Sequence, residues 1–298
     1  MPETIVHSSD RPGLPYSKGL TAQQLSASGL SPERSYELAV IVERRLDDRA
    51  ERWIDADALR VLVLDVLREE EGGDAVRRFS EWMRLDRLDR PLVVMLSGST
   101  GVGKSTLASL LAARLGINRV IATDVIRQVL RAFFSREFMP VVHYSAFEAG
   151  EAIDAGETGG DPDLVGFTRQ ALAIATGVDA IVDRACTEHT PIVLEGIHLV
   201  PGTIPDELRE RCIAVEALLV VEDEELHRGH FAMRGSHRPP ERYLRRFEQI
   251  RKLQEHLAGC AREEGVAVID NTSVDRALPQ LMDLVLDSIS RLSSSEAR

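Results

Sequence analysis

The stretch Leu92-Val-Val-Met-Leu-Ser-Gly98-Ser-Thr-Gly-Val-Gly-Lys104-Ser105 decides the fold, because a short apolar run leads directly into a glycine-rich loop. The loop has the spacing G-x-x-x-x-G-K-[ST], and an amphipathic helix pattern follows from Thr106. Glycines let backbone N–H groups turn toward a phosphate, and the N-terminus of the next helix adds partial positive charge. The stretch therefore predicts a strand, a phosphate loop and a helix that bind a nucleoside triphosphate.

Two residues at the end of this loop have specific expected contacts. Lys104 is expected to reach the β- and γ-phosphates, and the Ser105 hydroxyl is expected to bind Mg²⁺. Asn271 follows the last predicted strand, where adenine is often bound, although any turn could also use an asparagine. The predicted nucleotide-binding residues are Gly98, Ser99, Thr100, Gly101, Val102, Gly103, Lys104, Ser105, Thr106 and Asn271.

On the C-terminal side of Pro91, short apolar runs alternate with amphipathic segments, which is typical of a parallel α/β sheet. We predict strands at 92–97, 119–123, 191–195, 214–221 and 266–270. The predicted helices are 104–115, 125–133, 166–187, 239–262 and 275–292. The stretch 150–163 is rich in Gly and Asp and predicts a loop. We expect the five strands to lie in the order 2-3-1-4-5.

The part of the chain before Pro91 has a different pattern. Residues 1–17 are rich in Pro, Ser and Gly and predict an extended or loosely ordered lead-in. From Thr21 to about Leu85 the spacing is helical, with helix starts predicted at Thr21, Ser31 and Asp55. We therefore expect a small helical domain, 1–88, before an α/β domain, 89–298.

Composition narrows the class of partner. Of the 298 residues, 44% are hydrophobic and 28% are charged, and the formal net charge of −12 disfavours nucleic acid and anionic membrane surfaces as main partners. The chain shows neither an export signal nor an apolar run near membrane-span length, so we expect a cytoplasmic protein. Its three cysteines lack C-x-x-C spacing, which argues against a disulfide frame and a zinc site. The sequence leaves a homo-oligomer open.

Two acidic residues lie at the carboxyl ends of the second and third predicted strands. Asp124 follows the second strand, with Arg127 one turn further on, and this pair suits an acceptor hydroxyl and an anionic acceptor group. The alternative is a helix cap at Thr123 or Asp124. Glu195 ends the third strand, where phosphate-loop enzymes keep a carboxylate that supports Mg²⁺. His198 either contacts the substrate or fills the junction between strand and loop.

A basic segment stands out in this acidic chain. Residues 227–252 carry seven Arg and one Lys against two Glu, a local charge of +6. One interpretation is a lid whose Arg228, Arg234 and Arg238 neutralise phosphoryl charge, and the other is a solvated helix face with i,i+4 pairs. His143 lies between the second and third strands, in a position available to an acceptor pocket.

Together these residues resemble one family, the phosphate-loop 2-phosphoglycerate kinases. The similar stretches are 97–108, 121–131, 143–148, 193–202 and 241–257, and the segment from Pro15 to Ala39 resembles the ATP-cone module that precedes the kinase domain. The segment lacks the basic K-R-x-G opening usual in nucleotide-binding cones, so it could be a docking domain only. The resemblance implies a P-loop kinase fold with a five-stranded parallel sheet and a mainly helical ATP-cone-like domain in front.

The resemblance also implies an activity and roles. The implied reaction is transfer of phosphate from ATP, with Mg²⁺, to the 3-hydroxyl of 2-phosphoglycerate, a small phosphorylated acceptor. Lys104 and Ser105 would hold ATP and the metal, Asp124 would face the acceptor hydroxyl, and Glu195 would support the metal. Arg127 and His143 would face the acceptor's anionic groups, with Arg228 and Arg234 on the lid. A kinase for another anionic alcohol and a non-catalytic ATP sensor are the remaining alternatives.

Overall fold

The computed structural model describes residues 4–8, 11–49, 53–84, 90–154, 160–232 and 240–296. The chain divides into two compact units. The first comprises Met1–Leu88, Ala113–Gly116 and Ile289–Arg298, and the second comprises Asp89–Ala112 and Ile117–Ser288.

The first unit combines a small sheet with four helices. Its strands are β1 (Ile5–Ser8), β2 (Arg11–Pro15) and β3 (Trp53–Asp55), in the order β2-β1-β3. Its helices are α1 (Lys18–Ala27), α2 (Pro32–Asp47), α3 (Ala56–Glu70) and α4 (Gly73–Arg84). Their buried side chains form one core that includes Leu25, Leu38, Val42, Ile54, Leu67 and Phe79.

The described part of the lead-in is extended, and it forms a hairpin that the sequence did not predict, since β1 pairs antiparallel with β2 and parallel with β3. One prediction for this unit is wrong. The first helix begins at Lys18 rather than Thr21, since the hydroxyl of Ser17 accepts the N–H of Leu20 at 3.3 Å and caps it. The predicted starts at Ser31 and Asp55 are confirmed as the N-caps of α2 and α3.

The second unit contains the predicted parallel sheet. Its strands are β4 (Leu92–Gly98), β5 (Val120–Ala122), β6 (Ile192–Glu195), β7 (Ile213–Val220) and β8 (Ala267–Asp270). They lie in the order β5-β6-β4-β7-β8, and each neighbouring pair is parallel. Numbered within the unit, this is the predicted order 2-3-1-4-5, which is therefore confirmed.

The helices that follow these strands are α5 (Lys104–Leu115), α6 (Thr123–Phe133), α7 (Pro162–Thr187), α8 (Asp206–Arg211), α9 (Glu224–Ala232), α10 (Pro240–Arg245), α11 (Phe247–Glu264) and α12 (Val274–Glu296). Two 3-10 helices, Pro140–His143 and Ala146–Ala152, lie between α6 and α7. The sequence did not predict α8 and α9. The helix predicted over 239–262 is two helices, because the backbone leaves helical geometry at Arg246.

The central strands of the sheet are buried under these helices, whereas the edge strands β5 and β8 are partly exposed. All seven residues of β4 are buried, and Val93 and Met95 pack in one cluster with Ile174 and Val178 of α7. Each such fully buried aliphatic side chain contributes about 1.5–3 kcal/mol to folding. Among the described helices, α7 alone is long and apolar enough to span a membrane, a test that core helices also pass. Its buried face lies within this unit's core.

Candidate active site

Three functional elements meet at one edge of the sheet. The phosphate loop follows β4, Glu195 ends β6, and Asp124 lies in the first turn of α6 directly after β5. Because β6 lies between β4 and β5, Glu195 pairs in register with Leu96 on one side and with Ala122 on the other. The carboxyl ends of neighbouring parallel strands are where α/β proteins bind ligands. The sheet order thus brings Lys104, Asp124 and Glu195 to one edge.

The phosphate loop is held by side chains that donate to its carbonyl oxygens. Nε2 of His227 donates to Thr100 O at 2.9 Å, and Nδ1 of His230 donates to Gly101 O at 2.9 Å. Nδ2 of Asn271 donates to Val102 O at 2.8 Å. In a trans peptide the N–H points opposite to the C=O, so the next residues' N–H groups point away from these donors. The N–H groups of three consecutive residues, Gly101, Val102 and Gly103, therefore point away from the side chains that hold the loop.

Other groups complete the loop. The ammonium of Lys104 donates to Ser99 O at 2.7 Å, and the hydroxyl of Ser99 donates to Gln254 Oε1 at 3.3 Å. Gly101 has a φ of +97°, and an added Cβ there would lie 2.5 Å from Cζ of Phe231. Only glycine adopts that backbone without strain and leaves that space empty.

Ser105 and Glu195 are in direct contact. The Ser105 hydroxyl donates to Glu195 Oε1 at 2.8 Å, and Glu195 as a residue is only 7% exposed. A hydroxyl and a carboxylate oxygen are hard ligands of the kind that Mg²⁺ prefers, in a site completed by phosphate oxygens and water. The two residues predicted to support the metal thus fit that ion.

Asp124 and Arg127 form an ion pair. Nε of Arg127 donates to Asp124 Oδ1 at 3.2 Å, while 71% of the Asp124 side chain is exposed to solvent. Nη1 of Arg127 also donates to the carbonyls of Val142 at 3.2 Å and Tyr144 at 2.9 Å. The arginine therefore fixes the 140–144 segment to α6, and Asp124 stays open to a ligand.

His198 is the centre of a buried polar network. Nε2 of its ring lies 2.9 Å from Gln170 Oε1, and Nδ1 lies 2.8 Å from Thr123 Oγ1. The amide nitrogen of Gln170 donates to the carbonyls of Val141 and Tyr144, so its oxygen can only accept. Nε2 of His198 therefore carries the proton, and Nδ1 accepts from Thr123.

This network answers the question that the sequence left open for His198. The residue is 3% exposed and both ring nitrogens are bonded within the protein, so it fills the junction between strand and loop. Burial lowers the pKa of His198, which keeps the ring neutral as the tautomer requires. The substrate-contact alternative does not fit this geometry.

Two further predicted residues are used within the protein. Nε2 of His143 donates to Phe134 O at 3.0 Å, which ties the 3-10 helix to the end of α6. The guanidinium of Arg228 lies over the ring of Phe247, 3.9 Å from its centroid. Arg234 and Arg238 lie outside the described residues. Asn271 is 4% exposed and its amide supports the loop from outside, so an adenine contact does not fit its position.

The described part of the basic segment forms ion pairs with a distant acidic stretch. Arg242 pairs with Glu148, and Arg246 pairs with Glu151. Nζ of Lys252 lies 2.8 Å from Asp161 and 2.7 Å from Asp163. These pairs join α10 and α11 to the chain around the second 3-10 helix. These three side chains stay partly exposed, but their partners are distant along the chain rather than at i,i+4. The lid interpretation, which names Arg228, Arg234 and Arg238, stays a prediction.

Sequence similarity to known proteins extends over more than nine-tenths of the chain. The sequence is 34% identical over 286 residues to the 2-phosphoglycerate kinase of Methanocaldococcus jannaschii, covering 95% of this chain and 91% of that protein. It is 33% identical to the enzyme of Methanopyrus kandleri, over 91% of this chain and 84% of the relative. The chain belongs to the 2-phosphoglycerate kinase family. It is therefore a kinase, a phosphotransferase that uses ATP.

Other comparisons add less. The 2-phosphoglycerate kinase of Pyrococcus horikoshii is 31% identical over 95% of this chain and 93% of that protein. No protein-family model matches the sequence. Among solved structures, a gluconokinase from Sinorhizobium meliloti aligns over 70% of this chain and 96% of its own, at 17% identity and a TM-score of 0.39.

Several residues that contact the phosphate loop or the nearby polar network could not be predicted from the sequence. His227, His230 and Gln254 contact the loop from more than 120 positions away along the chain. Gln170, which contacts His198 rather than the loop, lies in the first half of α7. In the sequence it is an ordinary polar residue of a helix. The only sequence signal was the pair of histidines at i and i+3, which share one face of a helix.

Proposed function

We propose that this chain transfers the γ-phosphoryl group of ATP to the 3-hydroxyl of 2-phosphoglycerate and so forms 2,3-bisphosphoglycerate. Similarity to 2-phosphoglycerate kinases over nine-tenths of the chain supports the choice of acceptor. The observation that carries the chemistry is the contact between Ser105 and Glu195, on the strand next to the one that Asp124 follows. A nucleotide, a metal and an acceptor hydroxyl can meet there.

The phosphate loop is proposed to bind the nucleotide. The amides of residues 101–103 donate to phosphate oxygens, and the ammonium of Lys104 exchanges its bond to Ser99 O for the β- and γ-phosphates. Ser105 and Glu195 would hold Mg²⁺, which when bound neutralises charge on the β- and γ-phosphates.

The acceptor is proposed to bind beside Asp124. The acceptor oxygen forms the new bond to the γ-phosphorus as the bond from that phosphorus to the β,γ-bridging oxygen breaks, and the hydroxyl proton moves to a carboxylate oxygen of Asp124. The positive charge of Arg127 lies beside this carboxylate and favours an acceptor with anionic groups. His143 lies on the segment that Arg127 fixes, and Arg228 and Arg234 are proposed to add positive charge near the transferred group.

The first unit is proposed to be the ATP-cone-like domain, and a second nucleotide would bind there if it has kept that property. Calorimetry with the Lys104→Ala variant separates the two sites. A binding event with the same affinity in this variant and in the unsubstituted protein would assign a second nucleotide to residues 1–88, whereas a single event that the substitution weakens would make that unit a docking domain.

The activity is tested by ATP consumption with Mg²⁺ and four acceptors: 2-phosphoglycerate, 3-phosphoglycerate, glycerate and a nucleoside. Lys104→Ala is the blank. We expect turnover with 2-phosphoglycerate alone and a bisphosphate product. Turnover with a different acceptor would overturn the substrate assignment and leave the kinase. Tight ATP binding without turnover on any acceptor would favour the ATP sensor.

A further inference from the structure

One face of α9 forms hydrogen bonds with the phosphate loop. Phosphate binding by the loop does not by itself require this contact with a helix. His227 and His230 are one helical turn apart on this face and donate to consecutive carbonyls, those of Thr100 and Gly101. The two rings use different nitrogens, Nε2 in His227 and Nδ1 in His230. Because the acceptors are carbonyl oxygens, each of these nitrogens must carry a proton.

The ring of His227 is held rigidly. It is fully buried, stacks on Phe231 with 5.5 Å between centroids, and meets the edge of Phe247 at 5.3 Å. Phe231 in turn stacks on Tyr243 at 5.2 Å, and it lies against the position where Gly101 has no side chain. The donor therefore cannot swing away from Thr100 without displacing two buried aromatic rings, those of Phe231 and Phe247.

The same hydrogen bonds orient the loop amides. A trans peptide unit is rigid, so fixing Thr100 O fixes the N–H of Gly101, and fixing Gly101 O fixes the N–H of Val102. These are amides that a phosphate would accept from. A loop whose amides already point inward loses less conformational entropy when the phosphates bind.

We propose that His227 and His230 are positioning residues for the nucleotide, which orient the phosphate-loop amides through hydrogen bonds to Thr100 O and Gly101 O. The proposal rests on the proposed use of this loop for ATP. It assigns to α9 a role in nucleotide affinity that is separate from the arginines of the basic segment. Both residues act through the loop backbone and touch neither substrate.

An alternative is that the two rings only fill space, and amide substitutions distinguish the two. The amide nitrogen of glutamine lies where Nε2 of histidine lies, whereas that of asparagine lies near Nδ1. His227→Gln therefore keeps the donor to Thr100, and His227→Asn falls one methylene short. At the other position, His230→Asn keeps the donor to Gly101, and His230→Leu removes it. His256→Gln, which replaces a half-buried ring of the same unit, is the control.

The measurement is calorimetric affinity for the β,γ-imido analogue of ATP with Mg²⁺, without acceptor. Net loss of one such hydrogen bond corresponds to about two- to tenfold weaker binding. We expect that loss for His227→Asn and His230→Leu, and affinity within about twofold of the parent for His227→Gln, His230→Asn and His256→Gln. Equal affinities for His227→Gln and His227→Asn, at matched melting temperatures, would overturn the proposal. Failure of the unsubstituted protein to bind the analogue would instead refute the proposed function.

A second measurement needs no substitution. Long-range ¹H–¹⁵N spectra of the intact protein at pH 8 distinguish the two neutral imidazole tautomers. We expect a proton on Nε2 for His227 and on Nδ1 for His230. A proton on Nε2 in both rings would mean that Nδ1 of His230 cannot donate to Gly101 O, which would overturn the role proposed for His230.

Discussion

The hydroxyl of Ser105 lies 2.8 Å from Oε1 of Glu195, although 90 positions separate the two residues along the chain. The first lies in the first turn of α5, after the phosphate loop, and the second is the last residue of β6. The contact is possible because β6 is hydrogen-bonded directly to β4, in register at Leu96 and Glu195. Strand order therefore creates the oxygen pair to which we assign the metal.

We expect Glu195→Gln to raise the Mg²⁺ concentration needed for half-maximal rate. The amide oxygen can still accept from Ser105, so the fold is kept, but the negative charge that attracts the cation is lost. Loss of such a supporting carboxylate typically costs about 10- to 100-fold in metal affinity or activity. Initial rates measured against Mg²⁺ concentration at fixed ATP give this half-maximal concentration. Glu188→Gln is the control, because Glu188 is an exposed acid that pairs with Arg119 and Arg184. An unchanged Mg²⁺ curve would contradict the assignment.

We expect Asp124→Asn to lower kcat by about 10²–10⁴-fold, since the general base is removed while the oxygen that accepts from Arg127 is kept. ATP affinity should not change, because Asp124 lies on α6, outside the loop. Single-turnover kinetics and calorimetry measure the two quantities. If ATP affinity and kcat fell together, Asp124 would have to be assigned to the nucleotide instead.

We expect His198→Phe to destabilise the fold and to raise KM for the acceptor. The phenyl ring leaves the hydroxyl of Thr123 and the amide oxygen of Gln170 unpaired, at a cost of about 1–3 kcal/mol each. Gln170 also holds the carbonyls of Val141 and Tyr144, so the segment beside Arg127 loses its support. Urea unfolding and acceptor KM are the readouts. A variant with unchanged stability would show that the network is not formed.

We expect the free energy of unfolding to fall as pH is lowered from about 6.5 to about 4. This fall adds to the one that protonation of carboxylates causes. Burial lowers the pKa of His227 to about 4, whereas the unfolded residue titrates near 6.5. In this window the unfolded chain binds a proton that the folded chain does not, so stability is full above pH 6.5 and declines below it. His198, with a pKa shifted in the same direction, adds to the slope.

Urea unfolding at several pH values checks this dependence, with His227→Gln as the matched variant. Because glutamine does not titrate, the variant should lose less stability between pH 6.5 and 4 than the unsubstituted protein. Identical slopes in the two proteins would show that His227 has an ordinary pKa in the folded state.

The parts of the structure that the sequence predicted are those set by local pattern and strand order. The loop from Gly98 to Ser105 has its own spacing, and the position of Glu195 between β4 and Asp124 follows from the order 2-3-1-4-5. The donors to the loop could not be predicted, because His227 is 127 positions from Thr100 and no local pattern encodes that contact. The hairpin of β1 and β2 was missed since its strands have only four and five residues and β2 contains Pro and Gly.

The pairing of β5, β6 and β4 has a consequence for how this site can diverge. Adjacent strands are about 4.8 Å apart whatever side chains they carry, because backbone hydrogen bonds set that spacing. The distances from phosphate loop to Glu195 and from Glu195 to the end of β5 are therefore insensitive to substitution elsewhere. Acceptor preference can change by mutation of the 140–152 segment, which is not a strand of the sheet and is held by side-chain contacts such as those of Arg127 and Gln170. Selection could thus alter which alcohol is phosphorylated without disturbing the alignment of donor and metal.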